Sequence, residues 1–274
     1  MKRFFSTIAV VASSALALAA CSGGGGGGTT ESGVELVKEG KLTLCSDIPY
    51  EPFEYVNDQN ETVGFDIDLS KKLAERLGVE LDVKTTPFEG IQSGSSLDTG
   101  QCDIALSGMG ITDERKTKMD FSMMYLKDNL ALMAAKDSGY KSIDDVKGKK
   151  VGAQAATTGE KYAKEKGISP TQFETGGLLT QAMQTRKIDA AIANVSTIYA
   201  ATQADDSLTL VQDFETGEVV GAAVKKGNSK LLDEFNGMLE EMFEDGSYDK
   251  LVDEWFGPVA DAARVDQEEA KASK

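Results

Sequence analysis

Histidine is absent from this chain of 274 residues. Histidine is the usual general base near neutral pH and the commonest metal ligand, so its absence excludes histidine-based catalytic triads and most zinc-enzyme mechanisms. Basic residues are outnumbered by acidic ones, which gives a formal net charge of −16. Because a phosphate backbone would be repelled by such a surface, the composition argues against nucleic acid as a partner.

Long apolar runs are lacking after the first twenty residues. Lys2 and Arg3 follow the first methionine and precede an apolar, alanine-rich stretch, which is the pattern of an export signal. This stretch ends in Leu18-Ala19-Ala20-Cys21, which resembles the bacterial lipobox, where the cysteine receives two acyl chains and anchors stably. We therefore expect a signal peptide over residues 1–20, lipidation at Cys21 and a glycine-rich tether over residues 21–34. A plain secretory signal that precedes a cysteine is the alternative.

Cysteine is also scarce, and only Cys45 and Cys102 remain after the proposed anchor. In an exported protein, an isolated pair is a disulfide candidate. Against this, Cys45 ends one predicted strand and Cys102 begins another, and those ends lie far apart in parallel neighbours. Residues 94–100 could bring Cys102 back over the sheet, so we favour the bridge, with two free thiols as the alternative.

From residue 34 onward, short apolar runs alternate with segments of helical periodicity, which predicts an α/β fold. The pattern restarts near Lys149, which indicates two successive α/β units, and the residues after about Val259 are predicted to be disordered or loosely helical. Strands are predicted at 41–45, 81–83, 103–106, 129–135, 149–153, 188–193, 208–211 and 219–224, and helices at 66–77, 160–166, 178–186, 231–243 and 251–256.

Two features at predicted strand ends favour an anionic ligand group. Arg115 follows the glycine-rich end of the third strand, and an arginine fork can hold a carboxylate by two parallel bonds. Thr157-Thr158-Gly159 lies between a strand and a helix, where free N–H groups attract negative charge. Ligands of open α/β sheets lie beyond the carboxyl ends of strands. The alternatives are a solvated Arg115 and a Thr158 that serves only as a helix cap.

A series of short motifs occurs in order over roughly residues 35–258, and together they resemble the family 3 solute-binding proteins, the polar amino-acid receptors of ABC importers. The motifs are Asp47-Ile48-Pro49-Tyr50-Glu51-Pro52-Phe53-Glu54, Val63-Gly64-Phe65-Asp66-Ile67-Asp68-Leu69, Ser107-Gly108-Met109, Ile111-Thr112-Asp113-Glu114-Arg115, Asp120-Phe121-Ser122, Lys147-Gly148-Lys149, Thr157-Thr158, Ile188-Asp189-Ala190-Ala191, Asp245-Gly246-Ser247-Tyr248 and Trp255-Phe256-Gly257.

The resemblance implies a two-lobed, type II periplasmic-binding-protein-like fold with two crossover hinge strands. Lobe 1 would comprise residues 35–126 and 219–260, lobe 2 residues 127–218, and residues 261–274 a flexible tail. Arg115 would pair with the ligand α-carboxylate, helped by Thr158, and the Gly108 carbonyl would face the α-ammonium group. The side-chain end of the ligand would be lined by Asp47, Tyr50, Phe88 and Gln154, with Ser107 nearby.

Two positions depart from the family pattern at the ammonium end. Gly110 stands where the family usually has a hydroxyl residue, and Asn194 stands where it usually has an aspartate. Asparagine can accept a bond through its amide oxygen but contributes no countercharge. We count both among the ligand-binding residues and expect the ammonium end to be weaker than in the family.

The expected function is that of a non-enzymatic, lipid-anchored, extracytoplasmic receptor that delivers a polar L-amino acid to an ABC permease. Glutamine or a basic amino acid is the expected ligand, the protein is expected to be monomeric, and no cofactor, metal or nucleic acid is implied. One alternative is a dehydratase-type enzyme on the same scaffold, with Asp47 as the obvious pocket acid. Another is a ligand-sensing receptor with a separate membrane partner.

Overall fold

The computed structural model of the chain describes residues 27–274. The predicted signal peptide, Cys21 and residues 22–26 of the predicted tether lie outside these residues. Over the described range, no helix combines the length and the apolar character needed to cross a membrane.

The strands within residues 27–274 are β1 (Gly28–Thr29), β2 (Glu35–Leu36), β3 (Lys41–Ser46), β4 (Tyr55–Val56), β5 (Thr62–Val63), β6 (Glu80–Thr85), β7 (Ile104–Ala105), β8 (Met119–Phe121), β9 (Leu126–Lys127), β10 (Leu130–Ala135), β11 (Val151–Gln154), β12 (Thr171–Phe173), β13 (Ala190–Asn194), β14 (Leu208–Phe214), β15 (Val219–Val220) and β16 (Ala223–Lys225). The helices are α1 (Phe65–Leu77), α2 (Phe88–Gln92), α3 (Ser95–Asp98), α4 (Asp113–Lys116), α5 (Thr158–Glu165), α6 (Gly176–Gln184), α7 (Val195–Ala204), α8 (Ser229–Asp245), α9 (Ser247–Phe256), α10 (Ala260–Ala263) and α11 (Gln267–Ala272), with 3-10 turns at Lys136–Ser138, Ile143–Val146 and Gly257–Val259.

Two five-stranded sheets organise the described chain. The first has the strand order β6-β3-β7-β16-β8, with β3 parallel to both β6 and β7 and β16 antiparallel to its neighbours. The second has the order β12-β11-β13-β10-β14, with β11 parallel to β12 and β13 and β10 antiparallel to its neighbours. We term the parts built on these sheets lobe 1 and lobe 2.

The chain crosses between the lobes twice, at β9 and β15, and these two short strands pair antiparallel with Leu126 opposite Val220. This arrangement confirms the predicted two-lobed fold with two crossover hinge strands. The single strand predicted over 219–224 is wrong, because β15 belongs to the hinge and β16 to the lobe 1 sheet. The chain changes sheets at Gly221, where a Cβ atom would lie 2.7 Å from the Ile111 side chain.

The predicted flexible tail is instead ordered against lobe 1. It contains α10 and α11, and both Val265 and Ala270 are buried in the lobe 1 core. The Val265 N–H donates to the Tyr248 hydroxyl at 3.0 Å, and a capping box joins Asp266 to Glu269 at the start of α11. Of the two predicted alternatives, the helical one matches these residues. Their docking was not predicted, because the charged composition dominates the sequence, whereas a few small apolar residues suffice to dock two short helices.

A disulfide joins Cys45 and Cys102, with their Cα atoms 5.7 Å apart. The short helix α3 and the turn at Gly100, which has a φ of 68°, reverse the chain before Cys102. Both cysteines are buried with Ile91 and Leu97 on one face of the lobe 1 sheet. The disulfide forms although β3 and β7 are parallel neighbours, because Cys102 precedes β7 and the turn before it brings it close to Cys45.

Candidate ligand-binding site

A cleft between the lobes brings together all ten residues that the sequence predicted for the ligand site, with about 280 Å³ of space between its walls. Two further residues, Thr157 and Glu218, also line it. That these residues touch a ligand stays a prediction. The lining consists of Asp47, Tyr50, Phe88, Ser107, Gly108, Gly110, Arg115, Gln154, Thr157, Thr158, Asn194 and Glu218.

The topology explains why distant sequence positions meet here. Asp47 follows β3 directly and Ser107 lies just after β7, so both stand at the carboxyl ends of parallel strands in lobe 1. In lobe 2, Gln154 ends β11 and Asn194 ends β13, which are also parallel. The carboxyl ends of the parallel strands in the two sheets therefore face one another across the cleft, as expected for α/β ligand sites.

Arg115 is the only cation that lines the cleft within the described residues, and it is 4% exposed. Its Nη1 donates to the Gly110 carbonyl at 2.8 Å, its Nη2 donates to the Ala156 carbonyl at 3.3 Å, and its guanidinium carbon lies 5.1 Å from the centre of the Phe88 ring. The other arginines of residues 27–274 form salt bridges, whereas Arg115 has no carboxylate within 4.0 Å there. Burial lowers the pKa of Arg115, and an anion in the cleft would offset that cost.

A short helix holds the Arg115 side chain in place. Arg115 lies in α4, whose first turn is capped by the Thr112 hydroxyl, which accepts from the Arg115 N–H at 3.2 Å. The segment 112–115 thus begins helix α4 and directs the Arg115 guanidinium into the cleft. Thr158 begins α5 on the facing lobe, where Thr157 caps the helix through the Glu160 N–H. Of the two threonines, it is therefore Thr157 and not Thr158 that acts as the cap.

The opposite end of the cleft contains the Asp47 carboxylate, which is 2% exposed. Its Oδ2 accepts from Gln154 Nε2 at 2.5 Å, and its own N–H donates to Ser107 Oγ at 3.0 Å. Burial raises the pKa of Asp47 to about 6, an effect that the Gln154 bond opposes and the charge of Glu174 reinforces. The Asp47–Gln154 bond runs from lobe 1 to lobe 2.

A second bond between the lobes runs from the Tyr50 hydroxyl to Asn194 Oδ1 at 2.8 Å. Burial raises the pKa of the Tyr50 hydroxyl, so it remains a donor at physiological pH. The Asn194 amide nitrogen donates to the Asp128 carbonyl at 2.8 Å. The side chains of the site therefore bridge the lobes themselves.

Glycine is required at position 108 by its neighbours. Gly108 has a φ of 51°, and a Cβ atom there would lie 2.9 Å from the rings of both Tyr50 and Phe53. Its N–H donates to Asp66 Oδ2 at 2.7 Å, which fixes the loop after β7 to the start of α1. The Ser-Gly-Met motif thus holds the floor of the cleft close to the aromatic residues of lobe 1.

Glu218 is the lining residue with ionisable chemistry that sequence reasoning missed. It directly precedes β15, and its Oε1 accepts from Thr158 Oγ1 at 3.0 Å and from Asn194 Nδ2 at 3.3 Å. Burial raises its pKa, while those two bonds and the charge of Arg115 lower it. The acidic stretch around Glu218 is typical of an exposed loop and gave no sign of a site residue. The one sign in the sequence was the glycine at position 110, which leaves space for another side chain.

Within residues 27–274, no group of three or more acidic or cysteine side chains is placed to hold a metal ion. The arrangement instead offers one cation, two carboxylates, neutral hydrogen-bonding groups and two aromatic rings around a small enclosed space. Such a set can bind a small polar molecule that carries both charges.

The fold and this cleft define a two-lobed binding protein. The sequence model of the bacterial extracellular solute-binding proteins, family 3, matches residues 42–258, so the chain belongs to that family, as the motifs predicted.

Relatives support the same assignment. The arginine-binding extracellular protein ArtP of Bacillus subtilis is 35% identical over 83% of this chain and 90% of its own length. The L-cystine-binding protein TcyJ of Escherichia coli K12 is 30% identical over 81% and 85%. Among solved structures, an ancestral arginine-binding protein bound to glutamine is 36% identical, with a TM-score of 0.74 over 80% of this chain and 98% of that one.

Proposed function

We propose that this chain is the extracellular substrate-binding protein of an ABC importer and that it captures a polar L-amino acid between two closing lobes. The observation that carries the proposal is Arg115, a buried cation that lines the cleft and has no carboxylate within 4.0 Å among the described residues. A buried unpaired charge is costly. A ligand carboxylate would pair with it in the bidentate geometry that arginine favours.

The charges of the cleft favour a basic amino acid over glutamine. The lining carries one positive group, Arg115, and two negative groups, Asp47 and Glu218. An amino acid with a cationic side chain carries one net positive charge, which would balance this lining, whereas glutamine would leave one negative charge uncompensated. Asp47, beside the aromatic residues Tyr50 and Phe88, is the natural partner of the cationic side chain.

The names of the relatives agree with an amino-acid ligand without fixing its side chain. They bind arginine or cystine by name, and the ancestral structure holds glutamine. What these ligands share is an α-carboxylate and an α-ammonium group, which is the part of the ligand that Arg115 would hold. Closure of the lobes around the ligand would produce the state that the transporter recognises.

A direct test is calorimetric titration of the purified chain with each of the twenty L-amino acids. We expect L-arginine or L-lysine to bind tightest and L-glutamine to bind more weakly. Binding of none of them would overturn the proposed function. Binding of glutamine alone would overturn the basic-ligand preference and leave the amino-acid receptor in place.

A dehydratase-type enzyme on the same scaffold is the second candidate, because the raised pKa of Asp47 is a property that a general acid needs. In the structure, however, Asp47 accepts from the Gln154 amide, which stabilises the charged form that a receptor for a cation would use. Turnover assays with carboxylated substrates separate the two candidates, since a receptor releases its ligand unchanged.

We also propose the membrane anchor from the sequence alone. Cys21 would carry the lipid, residues 1–20 would be the signal peptide, and the mature protein would act as a monomer beside its permease. Lobe limits of 35–126 with 219–260, and of 127–218, complete the proposal. Replacing Cys21 with alanine should release the protein from the membrane fraction, and unchanged retention there would contradict the anchor.

A further inference from the structure

We infer that Glu218 supplies the countercharge for the α-ammonium group of the ligand and that Gly110 provides the space which its carboxylate occupies. This inference rests on the proposed function, since it presupposes a ligand with an α-ammonium group. It assigns a specificity-determining role to the residue that directly precedes the second crossover strand, at the end of lobe 2.

Glu218 lies near Arg115 but does not pair with it. A Cβ atom on Gly110 would lie 2.5 Å from Glu218 Oε1, and the carbonyl of Gly110 lies 2.8 Å from Arg115 Nη1. The carboxylate and the guanidinium thus flank one residue, yet they are more than 4.0 Å apart and form no salt bridge with each other. An α-amino acid carries its ammonium and carboxylate groups on the same carbon, so its receptor needs a cation and an anion that are close but unpaired.

Among the described residues, the Glu218 side chain has only neutral hydrogen-bond partners. Both of its side-chain bonds, from Thr158 and Asn194, are donated by neutral groups to Oε1. Among the described residues, Oε2 receives no hydrogen bond and no cation lies within 4.0 Å of the carboxylate. Glu218 is half-buried. Because a partly desolvated carboxylate without a cation is less stable than a paired one, a ligand ammonium group at Oε2 would supply the missing charge.

Asn194 is the other candidate for contact with the ammonium group, and its amide groups already have partners. Its Oδ1 already accepts from the Tyr50 hydroxyl, and its amide N–H groups point to the Asp128 carbonyl and to Glu218. Asn194 therefore presents donors toward the site, which an ammonium group cannot use. The sequence-based expectation that the Asn194 amide oxygen receives the ammonium group is replaced by a role in orienting Glu218.

The decisive variant is Glu218→Gln, because glutamine keeps the size of the side chain and an acceptor oxygen for Thr158 and Asn194 while removing only the charge. Wild type and variant are titrated with L-arginine and L-glutamine, and with the Nα-acetyl derivatives of both. We expect the variant to bind the free amino acids at least about 30-fold more weakly, because a buried charge partner is lost. Its affinity for the acetylated probes should not fall. If Glu218 only braced the hinge, the free amino acids would bind as they do to wild type.

Gly110→Ala tests the assignment from another direction. The added methyl group would lie where Glu218 Oε1 lies, so the variant should bind the free amino acids more weakly while the protein still melts cooperatively. Binding of the free amino acids as tight as that of wild type would contradict the assigned role of Gly110.

The outcomes for this inference and for the proposed function are distinguishable. A wild type that binds none of the amino acids rejects the proposed function together with this inference. A wild type that binds, with a Glu218→Gln variant whose affinity is within about threefold of it, rejects the role of Glu218 alone.

Discussion

The two lobes contribute to the cleft in different ways. Lobe 1 supplies the charged groups Asp47 and Arg115, whereas lobe 2 supplies the neutral groups Gln154, Thr158 and Asn194. The remaining charge, on Glu218, lies at the crossover between them. From this difference we expect lobe 1 to hold the ligand by ion pairs and lobe 2 to close over it by hydrogen bonds.

The cores of the lobes differ in the same sense. Lobe 1 has an extended core with many aromatic side chains, to which the C-terminal helices and the tail contribute. Lobe 2 has two smaller clusters, one on each face of its sheet, in which alanine is the commonest buried residue. Because burial of alanine removes little apolar area from water, lobe 2 gains less stability per residue than lobe 1. We therefore regard lobe 1 as the platform of the site and lobe 2 as its cover.

The largest expected effect is on the stability of lobe 1. The Cys45–Cys102 disulfide closes a loop with a sequence separation of 57 residues, so replacing both cysteines with alanine should lower the free energy of unfolding by about 4 kcal/mol. Chemical denaturation of oxidised, reduced and double-alanine protein measures this, with the probe placed in each lobe in turn. A destabilisation confined to lobe 2 would reverse the comparison, and two free thiols in freshly exported protein would contradict the bridge.

The next effect concerns binding and compares one charged group with one neutral group. Arg115→Ala should weaken amino-acid binding by about 2–5 kcal/mol, because it leaves the ligand carboxylate buried without its charge partner. Gln154→Ala should cost only about 0.5–1.5 kcal/mol, the worth of an ordinary hydrogen bond. Calorimetric titration measures both, and Arg186→Ala, which breaks only an exposed pair with Asp137 on lobe 2, is the matched control.

Equal losses for Arg115→Ala and Gln154→Ala would show that the lobes share the ligand evenly. An Arg115→Ala variant that folds and binds like wild type would contradict the position of the whole site.

Much of the fold could be predicted because the patterns are local. The helix predicted over 66–77 is α1, and the strand predicted over 129–135 is β10, each shifted by one residue at its start. The short helices α2 and α3 and the strand β12 were missed, since three to five residues carry no measurable periodicity. Helix α7 was missed because it follows β13 without a turn, and its first two N–H groups are satisfied by distant residues: Val195 donates to the Asn129 carbonyl and Ser196 to Asp128 Oδ1.

Ten of the twelve residues that line the cleft were predicted as site residues, and Glu218, which no motif carries, was not. Arg115 and Gly108 belong to motifs whose spacing is diagnostic, and both line the cleft. Glu218 reaches the cleft only because the second crossover returns the chain past Gly110, which is a consequence of tertiary structure. No periodicity in one sequence encodes that contact.

The last expected effect is the pH dependence of stability, and it involves buried acids in both lobes. Burial raises the pKa of Asp66 in lobe 1 to about 7, and it raises the pKa of Asp128, beside lobe 2, to about 7 as well. Their usual value is 3.8, so the folded chain binds protons more tightly than the unfolded chain between about pH 4 and pH 7. The free energy of unfolding should therefore fall as the pH rises through this window, by at least about 1 kcal/mol from pH 5 to pH 7.5.

Asp128→Asn assigns the share of this dependence that belongs to lobe 2. Asp128 accepts from the N–H and the hydroxyl of Ser196 at the start of α7, and asparagine can keep both contacts by accepting the first and donating to the second. The variant should lose less stability between pH 5 and pH 7.5 than wild type, whereas Asp58→Asn, at an exposed position, changes the net charge equally and should follow wild type. Thermal melting at the two pH values measures the difference. A wild-type melting temperature that rises with pH would show that ionisation of these acids does not oppose folding. If Asp128→Asn reduces the change in stability between pH 5 and pH 7.5 and Asp58→Asn does not, the titrating group lies beside lobe 2, at the edge of its alanine-rich core.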